Sequence, residues 1–595
     1  MAEVLGVKAL VDATMAQAVR RVVPQEFVAG TSLVRRSEHA DFQCDLALGL
    51  ARKSGVPPRE SAASLLAALT DGGAAGEGAM PSPLSAVELS GPGFLNLTVA
   101  DGVLWALVAE RLADERLGLG LPAAGSRTVV DYSGPNIAKE LHVGHIRSTV
   151  IGDSLARILT EIGADVVRAN HLGDWGTSFG RLIQYLVEHP ALDWDNGAAL
   201  DALDDLYKAS QAEFAADPDF ADRARARVVA LQSGDEATLA VWRKLIAVST
   251  AAFQDLYQRL GVLLTPQDAA PESFYNPWLD EVVDELAAKG MLTESDGAQC
   301  VFLDGYADPQ GEPLPLIVRK SDGGYGYAAT DLAALRYRVE RLRADRILYV
   351  VDARQNLHLR MVFDTARLAG WLPPQVEAEH VVFGSILGTD GKPYRSRSGQ
   401  TPRLRELLDL AVDGARTVVE DKSADLPPDE LEHVVQAAGI GAVKYADLSN
   451  ARVKDYVFDP ARMVSLTGNT SVYLQYANAR VCSVLRKLPP ELAGRADSGL
   501  VDTTVPIHRA ERRLILELDG FGAVLAESAR GLEPHRLCTY LYELAKAFSD
   551  FWQNCPILKA EEPAVRGNRV ALARLTGRTL TRGLHLLGIE TPERL

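Results

Sequence analysis

The sequence has 595 residues, of which 47% are hydrophobic and 24% charged. This composition is that of a globular protein, and the length allows about four domains. The five cysteines (44, 300, 482, 538 and 555) form no CxxC pair, which argues against a disulfide framework and against a structural zinc site. The N-terminus lacks the apolar core of a signal peptide, and no run approaches the roughly 18 apolar residues of a membrane span. We therefore expect a cytoplasmic protein with no membrane partner.

The net charge of −17 is unevenly distributed along the chain. Residues 441–595 carry 21 Lys and Arg against 17 Asp and Glu, a net of +4, so the first 440 residues carry −21. The acidic total counts against a nucleic-acid partner, whereas the mildly basic tail allows a local surface that binds a polyanion. Ordinary variation of surface charge explains the difference equally well.

The first part of the chain, residues 1–115, mixes helical periodicity with short strands such as AVELSGPGFLNLTVA. This mixture predicts an α+β N-terminal domain. The loose segment LGLGLPAAGS follows and is typical of a linker.

The second part, residues 125–400, alternates strands with helices. Four apolar runs predict the strands: RTVVDY, ADVVRAN, DRILYVVD and HVVFGSIL. Because helical segments separate these runs, the pattern predicts an α/β domain with a Rossmann-like parallel sheet and crossover helices. Around residues 180–300 the periodicity is helical and the surface acidic, and we interpret this range as a helical insertion.

From about residue 401 to the end, nearly every segment is helical. Apolar residues recur at spacings of three and four in LLDLAVDGARTVVED, AERRLILELDGFGAVLAESA and LCTYLYELAKAFSDFWQ, the pattern of helices that bury one face. We divide this range into a helical connecting segment, residues 401–445, and an all-α C-terminal domain, residues 446–595.

The segment GPNIAKELHVGHIRST, residues 134–149, joins the first predicted strand to a helix. His142 and His145 stand at the N-terminus of that helix, at the carboxyl edge of the sheet, where open α/β sheets bind ligands. The free N–H groups and the dipole of a helix N-terminus attract phosphate. Gly144 removes a side chain and lets a flat ring lie against the backbone. The two imidazoles can donate to phosphate oxygens during substitution at phosphorus.

Other interpretations of the two histidines are open at this point. A zinc helix of the HExxH type has its histidines four apart and a glutamate beside the first, whereas these are three apart without one, so we expect no metal site. Both rings could also cap the helix without a catalytic role. HxGH after a first strand occurs in small nucleotidyltransferases as well, so the motif by itself indicates ATP binding and attack on the α-phosphate.

The segment SGPNIAKELHVGHIRSTVIGDSLARIL resembles the HIGH signature of class I aminoacyl-tRNA synthetases in its arginyl form. Four further segments resemble arginyl-tRNA synthetase motifs in the same order: NHLGDWGTSFG, GYGYAATDLAAL, ILYVVDARQNLH and VKYADLSNARVKDYVFD. The resemblance covers nearly the whole chain, from about residue 42 to residue 595. It implies a Rossmann-like catalytic domain between an added tRNA-binding domain at the N-terminus and an all-α anticodon-binding domain.

The resemblance also implies a reaction in two steps. L-Arginine reacts with ATP to give arginyl-adenylate and pyrophosphate, and the arginine is then transferred to the 3'-terminal ribose of tRNA(Arg). ATP chemistry implies Mg²⁺ held largely by the phosphates rather than by a protein cage. The family typically needs tRNA even for the first step, and we expect a monomer.

An arginine site needs an anion for the guanidinium, which is a planar fork that pairs bidentately with carboxylate. Tyr327 and Asp331 are four apart at a predicted strand-to-helix turn, so they share one helix face. A capping aspartate and a packed tyrosine would fit the same spacing. The resemblance implies instead that they hold the guanidinium and that Glu272 lies near it. Asn136, Asn170 and Gln355 match family contacts to the amino and carboxylate ends of the arginine. We also expect Ser133, Gly134 and His145 to contact the arginine, with Gly134 standing where family members often carry a second serine.

Lys392, in DGKPYRSRSG, matches the first lysine of the mobile KMSKS loop of class I enzymes. The second lysine is poorly matched, so that Arg395 or Arg397 substitutes for it, or nothing does. Many arginyl enzymes carry a lysine just before HIGH instead, and we predict that Lys139 supplies the missing charge there. The predicted catalytic groups are His142, His145, Lys139 and Lys392. The predicted ATP contacts are His142, Gly144, His145, His358 and Lys392.

The flanking domains are expected to hold the tRNA. The segment TGNTSVYLQYANARV resembles part of the anticodon-binding domain, and unstacked bases commonly stack on aromatic rings and guanidinium planes. One of Tyr473 and Tyr476 is expected in the bundle core, and we predict Tyr476 as the contact, together with Arg480. In GPGFLNL, Phe94 and Asn96 match family residues that touch a D-loop base.

Two alternatives to an active arginine enzyme are open on the sequence. One is a catalytically idle homologue that only binds tRNA, which the intact HVGH, Tyr327, Asp331 and Gln355 disfavour. The other is a sibling synthetase for glutamine, glutamate or cysteine. The missing zinc cysteines disfavour cysteine, and the acidic residues of the pocket disfavour glutamate.

Overall fold

The computed structural model describes residues 6–22, 32–70, 83–192, 194, 199–395, 402–422, 425–490, 492, 494 and 500–595. Arg397, a candidate substitute for the second loop lysine, lies outside these residues. None of the helices in these ranges combines the length and the apolar character needed to cross a membrane.

The N-terminal region is an antiparallel sheet with helices packed on it, as the α+β prediction requires. Strand Phe42–Cys44 lies between Arg35–Arg36 and Phe94–Val99, and Leu84–Ser90 forms the far edge. Strand Phe94–Val99 alternates buried and half-buried residues, which is the pattern of a strand with one face on a core. The helices of this region span Val7–Val22, Leu46–Ser54, Pro58–Thr70 and Asp101–Ala113.

Four parallel strands form the central sheet, and we name them first to fourth in chain order: Arg127–Asp131, Asp165–Ala169, Arg346–Tyr349 and Glu377–His380. Their spatial order is fourth, third, first, second. The order in which the chain adds strands therefore reverses between the first and the third strand. Open α/β sheets bind ligands beside the carboxyl ends of the strands at such a switch point. The predicted Rossmann-like sheet is confirmed.

Helices cover the central sheet, and three of them follow its strands or lead into them: Val143–Glu161, Tyr327–Glu340 and Asn356–Leu368. We call the first the HVGH helix and the second the pocket helix. The HVGH helix buries 15 of its 19 residues, so it is enclosed by protein on most sides. It also lies close to the end of the first strand, because a β-carbon on Gly152 would lie 2.3 Å from the β-carbon of Tyr132.

The fourth strand differs from the sequence prediction. We predicted it over residues 380–387, but the strand is Glu377–His380 and the apolar run beyond it is not in the sheet. Arg346 on the third strand pairs with Glu377 at 3.0 Å and with Glu379 at 2.8 Å, so charged cross-strand pairs favour this register. The apolar residues after the strand fill the core instead, and Ile386–Leu387 pairs with Tyr456–Val457.

The range that we interpreted as an insertion consists of helices followed by a small antiparallel sheet. The helices span Thr177–Glu188, Ala199–Ala216, Pro218–Gln232, Glu236–Leu260 and Asn276–Ala288, with 3₁₀ turns at Pro266–Asp268 and Glu272–Tyr275. The sheet strands are Thr293–Ser295, Ala298–Ala307 and Pro313–Arg319.

The C-terminal region is helical, as predicted. Its helices span Leu404–Lys422, Pro428–Leu448, Pro460–Met463, Ser471–Arg486, Arg509–Asp519, Phe521–Gly531, Pro534–Asn554 and Pro563–Leu586. Their apolar faces share one continuous core with the HVGH helix and the N-terminal region.

Buried charges join the HVGH helix to the C-terminal helices. The guanidinium of Arg147 lies 3.1 Å from the carboxylate of Asp447, and the two side chains are 1% and 0% exposed. Lys444 Nζ donates to the carbonyls of Leu260 and Gly588, both at 2.6 Å. Lys444 thereby links the helix Pro428–Leu448 to the end of helix Glu236–Leu260 and to the C-terminal part of the chain.

The N-terminal region is also joined directly to the C-terminal helices. Arg512 Nη1 donates to the Asp41 carboxylate at 2.6 Å and to the Val99 carbonyl at 3.0 Å. Trp105 Nε1 donates to the Val505 carbonyl at 2.8 Å. These contacts are far apart in sequence, so they were invisible to local sequence patterns.

Candidate active site

His142 and His145 lie at the start of the HVGH helix, as predicted, and both rings cap it. His142 Nδ1 accepts a hydrogen bond from the Gly144 N–H at 3.0 Å, and His145 Nδ1 accepts one from the His142 N–H at 3.1 Å. The ring centroids are 4.0 Å apart. In a neutral imidazole whose Nδ1 accepts, Nε2 carries the proton. Capping therefore leaves Nε2 of each ring as the N–H donor.

The protonation state of His145 leaves a hydrogen on Nε2 that can be donated. Burial, together with the neighbouring His142 and Lys139, lowers the pKa of His145 to about 3, so the ring is neutral at physiological pH. The structural role of the histidines uses Nδ1, whereas donation to a phosphate oxygen uses Nε2. The capping interpretation and the catalytic interpretation are therefore compatible.

The loop between the first strand and the HVGH helix has an unusual backbone. Ser133, Gly134 and Ala138 have φ angles of +73°, +53° and +61°, a region that residues other than glycine rarely adopt. The Ser133 N–H donates to Ser148 Oγ at 2.9 Å, and the Ala138 N–H donates to Ser249 Oγ at 3.0 Å. Strained backbone held by such bonds is frequent at functional sites.

Asn170, directly after the second strand, organises the same loop. Its Oδ1 accepts from the Gly134 N–H at 3.0 Å, and its Nδ2 donates to Tyr257 Oη at 3.2 Å. Tyr257, from the insertion, also forms a hydrogen bond with Ser133 Oγ at 2.7 Å. One amide hydrogen of Asn170 remains for a ligand.

Asn136 lies on the other side of this loop, against Gly173. A β-carbon on Gly173 would lie 2.0 Å from Asn136 Oδ1, so only glycine leaves room for the amide here. The Ile137 N–H donates to the Gly173 carbonyl at 2.9 Å, and the Gly173 N–H donates to the Pro135 carbonyl at 3.1 Å. Asn136 is exposed and lies in the loop between the first strand and the HVGH helix.

Asp331 lies one turn into the pocket helix, four residues after Tyr327, as the spacing predicted. His358 Nε2 is 2.5 Å from Asp331 Oδ2, and His171 Nε2 is 3.9 Å from Asp331 Oδ1. Burial opposes ionisation of Asp331, but the hydrogen bond from His358, with His171 and Arg338, lowers its pKa below the ordinary value. The pocket therefore contains an ionised carboxylate. His358, predicted as an ATP contact, lies against this carboxylate.

Glu272 and Asp174 are two further acids of the same pocket. Burial, with the charges of Asp174 and Asp331, raises the pKa of Glu272 to about 8. Burial raises the pKa of Asp174 to about 6, although Ser273 donates to it from its N–H at 2.9 Å and from its hydroxyl at 2.5 Å. At neutral pH, Glu272 is thus mainly the neutral acid.

Tyr327 and Gln355 form the open side of the pocket. Tyr327 is the first residue of the pocket helix and is 70% exposed. Gln355 ends a 3₁₀ turn after the third strand and is exposed. Both side chains are therefore accessible to a ligand at the carboxyl edge of the sheet.

Lys139, which we predicted to supply a catalytic charge, is not a solvated surface lysine. It is half-buried, and its Nζ lies 4.3 Å from the ring centroid of Tyr207 in the insertion. The guanidinium carbon of Arg181 lies 4.9 Å from the same ring. Two cations therefore flank one aromatic ring beside the HVGH segment.

Lys392 lies on a short hairpin after the fourth strand. The Gly388 N–H donates to the Lys392 carbonyl at 2.8 Å, and the Tyr394 N–H donates to the Ile386 carbonyl at 3.0 Å. The side chains of Lys392 and Arg395 are exposed. The ammonium group of Lys392 is therefore accessible to a ligand.

Pro402 and Leu404 lie beside the start of the HVGH helix. The Val143 N–H donates to the Pro402 carbonyl at 3.1 Å, and the Leu404 N–H donates to the Leu141 carbonyl at 2.8 Å. Pro402 and Leu404 thus form backbone hydrogen bonds on both sides of His142.

Sequence reasoning missed several polar residues of this site. His171 and Asp174 follow the second strand inside NHLGDWGTSFG, so the carboxyl-edge rule could have found them. Tyr207 and Tyr257 carried no signal, because they belong to insertion helices whose contacts depend on the tertiary fold. Within the described parts of the chain, no group of three or more His, Cys, Asp and Glu is arranged to hold a metal ion.

The predicted tRNA contacts of the N-terminal region lie on its sheet. Phe94 begins a strand and is half-buried, and Asn96 Oδ1 accepts from Gln43 Nε2 at 2.9 Å across two strands. Asn96 is half-buried as well, so part of each side chain is accessible to solvent.

The predicted anticodon contacts lie on helix Ser471–Arg486. The guanidinium carbon of Arg480 is 4.5 Å from the ring of Trp552 and 5.9 Å from the ring of Tyr476. Tyr473 instead packs 5.7 Å from the ring of Tyr542, in the bundle. Of the two tyrosines, Tyr476 is thus the one that forms an aromatic and cationic surface with Arg480.

Comparison with known proteins agrees with this architecture. The family model described as tRNA synthetases class I (R), catalytic domain, matches residues 108–460. The DALR anticodon binding domain model matches residues 474–595, and the Arginyl tRNA synthetase N terminal domain model matches residues 7–99.

Individual relatives match over the full chain. An arginine–tRNA ligase of Frankia casuarinae is 55% identical over 98% of both chains, and one of Streptomyces coelicolor is 48% identical over 100% of both. A solved arginyl-tRNA synthetase from Plasmodium falciparum has a TM-score of 0.79 to this chain at 25% identity, with 99% of each chain covered.

The match to the catalytic-domain model covers the parallel sheet, the HVGH helix and the acidic pocket. These elements therefore form the catalytic unit of a class I aminoacyl-tRNA synthetase. Among the members of that class, the chain belongs to the arginyl-tRNA synthetase family. It activates arginine with ATP and transfers it to tRNA.

Proposed function

We propose that Asp331 binds the guanidinium of L-arginine, with Tyr327 and Glu272 beside it. The observation that carries this assignment is the ionised, largely enclosed carboxylate of Asp331 at the carboxyl edge of the sheet. A guanidinium pairs bidentately with such a group, whereas an uncharged side chain would leave it unpaired. The acidic character of the pocket also disfavours a glutamate substrate.

We assign the amino and carboxylate groups of the arginine to the loop between the first strand and the HVGH helix and to the residues that contact this loop. The backbone of Ser133 and Gly134 and the amides of Asn136, Asn170 and Gln355 supply donors and acceptors for an amino group and a carboxylate. His145 is assigned to both substrates, since it lies in the first turn of the HVGH helix, directly after this loop. An arginine bound in this way would direct its carboxylate toward the α-phosphate.

ATP is assigned to the start of the HVGH helix. Nε2–H groups of His142 and His145 donate to phosphate oxygens, and Gly144 leaves the helix N-terminus open to them. Lys139 and Lys392 supply positive charge, and His358 borders the adenosine from the pocket side. The arginine carboxylate attacks the α-phosphorus and pyrophosphate leaves, so no covalent enzyme intermediate forms.

Magnesium is expected to accompany the ATP. Glu140, the acid of this segment, pairs with Arg403 at 2.5 Å, and the imidazoles and Lys139 beside it suit phosphate oxygens rather than a hard cation. We therefore assign Mg²⁺ to the phosphates, where it would neutralise charge on the triphosphate.

The flanking regions are assigned to tRNA(Arg). We propose an added tRNA-binding domain at residues 1–115, a catalytic domain at 125–400, a connecting segment at 401–445 and an anticodon-binding domain at 446–595. Phe94 and Asn96 would contact the outer corner of the tRNA, and Tyr476 and Arg480 an anticodon base. We further propose a cytoplasmic monomer that binds neither DNA nor a membrane.

Measurement of ATP–pyrophosphate exchange tests the assignment of the arginine and ATP sites. We expect exchange that requires both L-arginine and tRNA(Arg), with no exchange when lysine, glutamine or glutamate replaces arginine. His142→Ala should abolish most of it, since an oxyanion-stabilising donor contributes about 10²–10³-fold to a rate. Exchange by His142→Ala at the wild-type rate would exclude His142 as a donor to the phosphates.

A further inference from the structure

Lys139 is held by an aromatic ring instead of a carboxylate. Its Nζ lies 4.3 Å from the ring centroid of Tyr207, and within the described ranges no acidic side chain lies within ion-pair distance of it. Arg181 lies 4.9 Å from the same ring, and its Nε and Nη2 are buried without a hydrogen-bond partner among the described residues. Tyr207 itself is fixed by a hydrogen bond from its hydroxyl to Ser178 Oγ at 3.2 Å.

This arrangement has an electrostatic consequence. A carboxylate partner would cancel the charge of Lys139 and repel a phosphate, whereas a ring orients an ammonium without neutralising it. Two cations around one neutral phenol leave the site with a positive charge, which partial burial makes stronger than in water. The charge of Lys139 acts on the HVGH segment, because it contributes to the lowered pKa of His145.

We propose that Tyr207 is a positioning residue that holds the ammonium of Lys139 for the polyphosphate of ATP, with Arg181 adding a second positive charge. The inference rests on the proposed role of Lys139 and gives the helical insertion a function in adenylate formation. In that step an oxygen of the arginine carboxylate bonds to the α-phosphorus, and the bond from this phosphorus to the bridging oxygen breaks. The electron pair leaves with pyrophosphate, whose growing charge the two cations stabilise.

The test measures the rate of arginyl-adenylate formation with saturating arginine and tRNA(Arg). Tyr207→Leu should slow this rate about tenfold, the scale of a partly desolvated cation–π contact. Tyr207→Phe keeps the ring and should remain within about twofold of wild type. Tyr185→Leu removes another insertion tyrosine, which stacks on His189 at 4.3 Å, and serves as the matched control with a wild-type rate.

A double-mutant cycle separates positioning from packing. If Tyr207 acts through Lys139, Tyr207→Leu should add no further loss to Lys139→Ala, because contacting residues that share one role are non-additive. A wild-type rate for Lys139→Ala would overturn the role of Lys139 and the inference with it. If Lys139→Ala is slow but Tyr207→Leu is fully active, the inference about Tyr207 is wrong, while the role of Lys139 stands. The same holds if Tyr207→Leu lowers the rate by the same factor in the wild type and in Lys139→Ala. Tyr207→Met fills similar space without a π face and repeats the comparison if the leucine variant does not fold.

Discussion

At the scale of single residues, two acids of the pocket that we propose for arginine differ in protonation. The hydrogen bond from His358 keeps the pKa of Asp331 low in spite of burial, whereas burial and its acidic neighbours raise the pKa of Glu272 to about 8. At neutral pH, before a ligand binds, Asp331 is therefore ionised and Glu272 is mainly protonated. Several carboxylates can share this pocket because not all of them are ionised at once.

Asp331→Asn is expected to raise the KM for arginine by about 10²–10³-fold, because breaking a buried charge pair leaves the other charge uncompensated. The KM for ATP should change little. Steady-state exchange with each substrate varied in turn measures both constants. The exposed Asp364, which pairs with Arg367 at 2.8 Å, gives the control Asp364→Asn. An unchanged KM for arginine in Asp331→Asn would exclude this carboxylate as the guanidinium ligand.

Arginine binding should depend on pH through Glu272. A bound guanidinium favours the ionised carboxylate, so below the pKa of about 8 the substrate must displace a proton. The KM for arginine should therefore rise by up to about tenfold per pH unit as pH falls below that value, and be constant above it. In Glu272→Gln this dependence should be reduced to the contributions of Asp174 and His358. An identical slope in the variant and the wild type would refute the assignment.

At the scale of secondary structure, the start of the HVGH helix combines structural and chemical roles. The helix needs caps for its unpaired N–H groups, and here histidine rings provide them. Gly144 is required by this cap, because a β-carbon at this position would lie 2.8 Å from His142 Cε1. The glycine of HVGH therefore leaves room for the histidine ring that precedes it as well as for a ligand.

Gly144→Ala should displace the ring of His142 and reduce kcat/KM for ATP by about tenfold or more, on the scale of a misoriented oxyanion donor. The thermal unfolding midpoint should change little, because alanine favours a helix more than glycine does. Gly49→Ala is the matched control, since a β-carbon on Gly49 meets nothing within 4 Å. Wild-type ATP kinetics in Gly144→Ala would show that the cap geometry is irrelevant to the reaction.

At the scale of the whole molecule, the catalytic helix and the regions proposed to bind tRNA share one core. Arg147 pairs with Asp447, Lys444 bridges two chain segments, and Arg512 joins the N-terminal region to the C-terminal helices. The HVGH helix is therefore packed directly against the C-terminal helices, and these are joined to the N-terminal region. We expect the first step to require tRNA.

Arg147→Met is expected to lower the free energy of unfolding by about 3–5 kcal/mol, since it leaves the carboxylate of Asp447 buried and unpaired. The double variant Arg147→Met with Asp447→Leu should recover part of this loss. Arg225, in an exposed pair with Asp222 at 2.5 Å, gives the control Arg225→Met, with a loss of about 0–1 kcal/mol. Chemical denaturation measures all three. Equal losses at Arg147 and Arg225 would contradict the role of the buried pair.

The sequence alone was sufficient wherever the physics is local. The apolar runs that became the first three strands, the capped start of the HVGH helix and the four-residue spacing of Tyr327 and Asp331 all follow from periodicity and chain direction. The sequence failed at the fourth strand, where the apolar run that follows is buried in the core outside the sheet and the strand is the charged Glu377–His380.

Only the tertiary structure decided which distant groups share the site. Tyr207 and Tyr257 come from insertion helices, yet one contacts Lys139 and the other binds the loop of Ser133. The protonation of Glu272 and His145 likewise depends on burial and on neighbours that the chain brings together only on folding. Residue type and spacing determine what chemistry is available, whereas desolvation and charge proximity in the folded state determine which form each group takes.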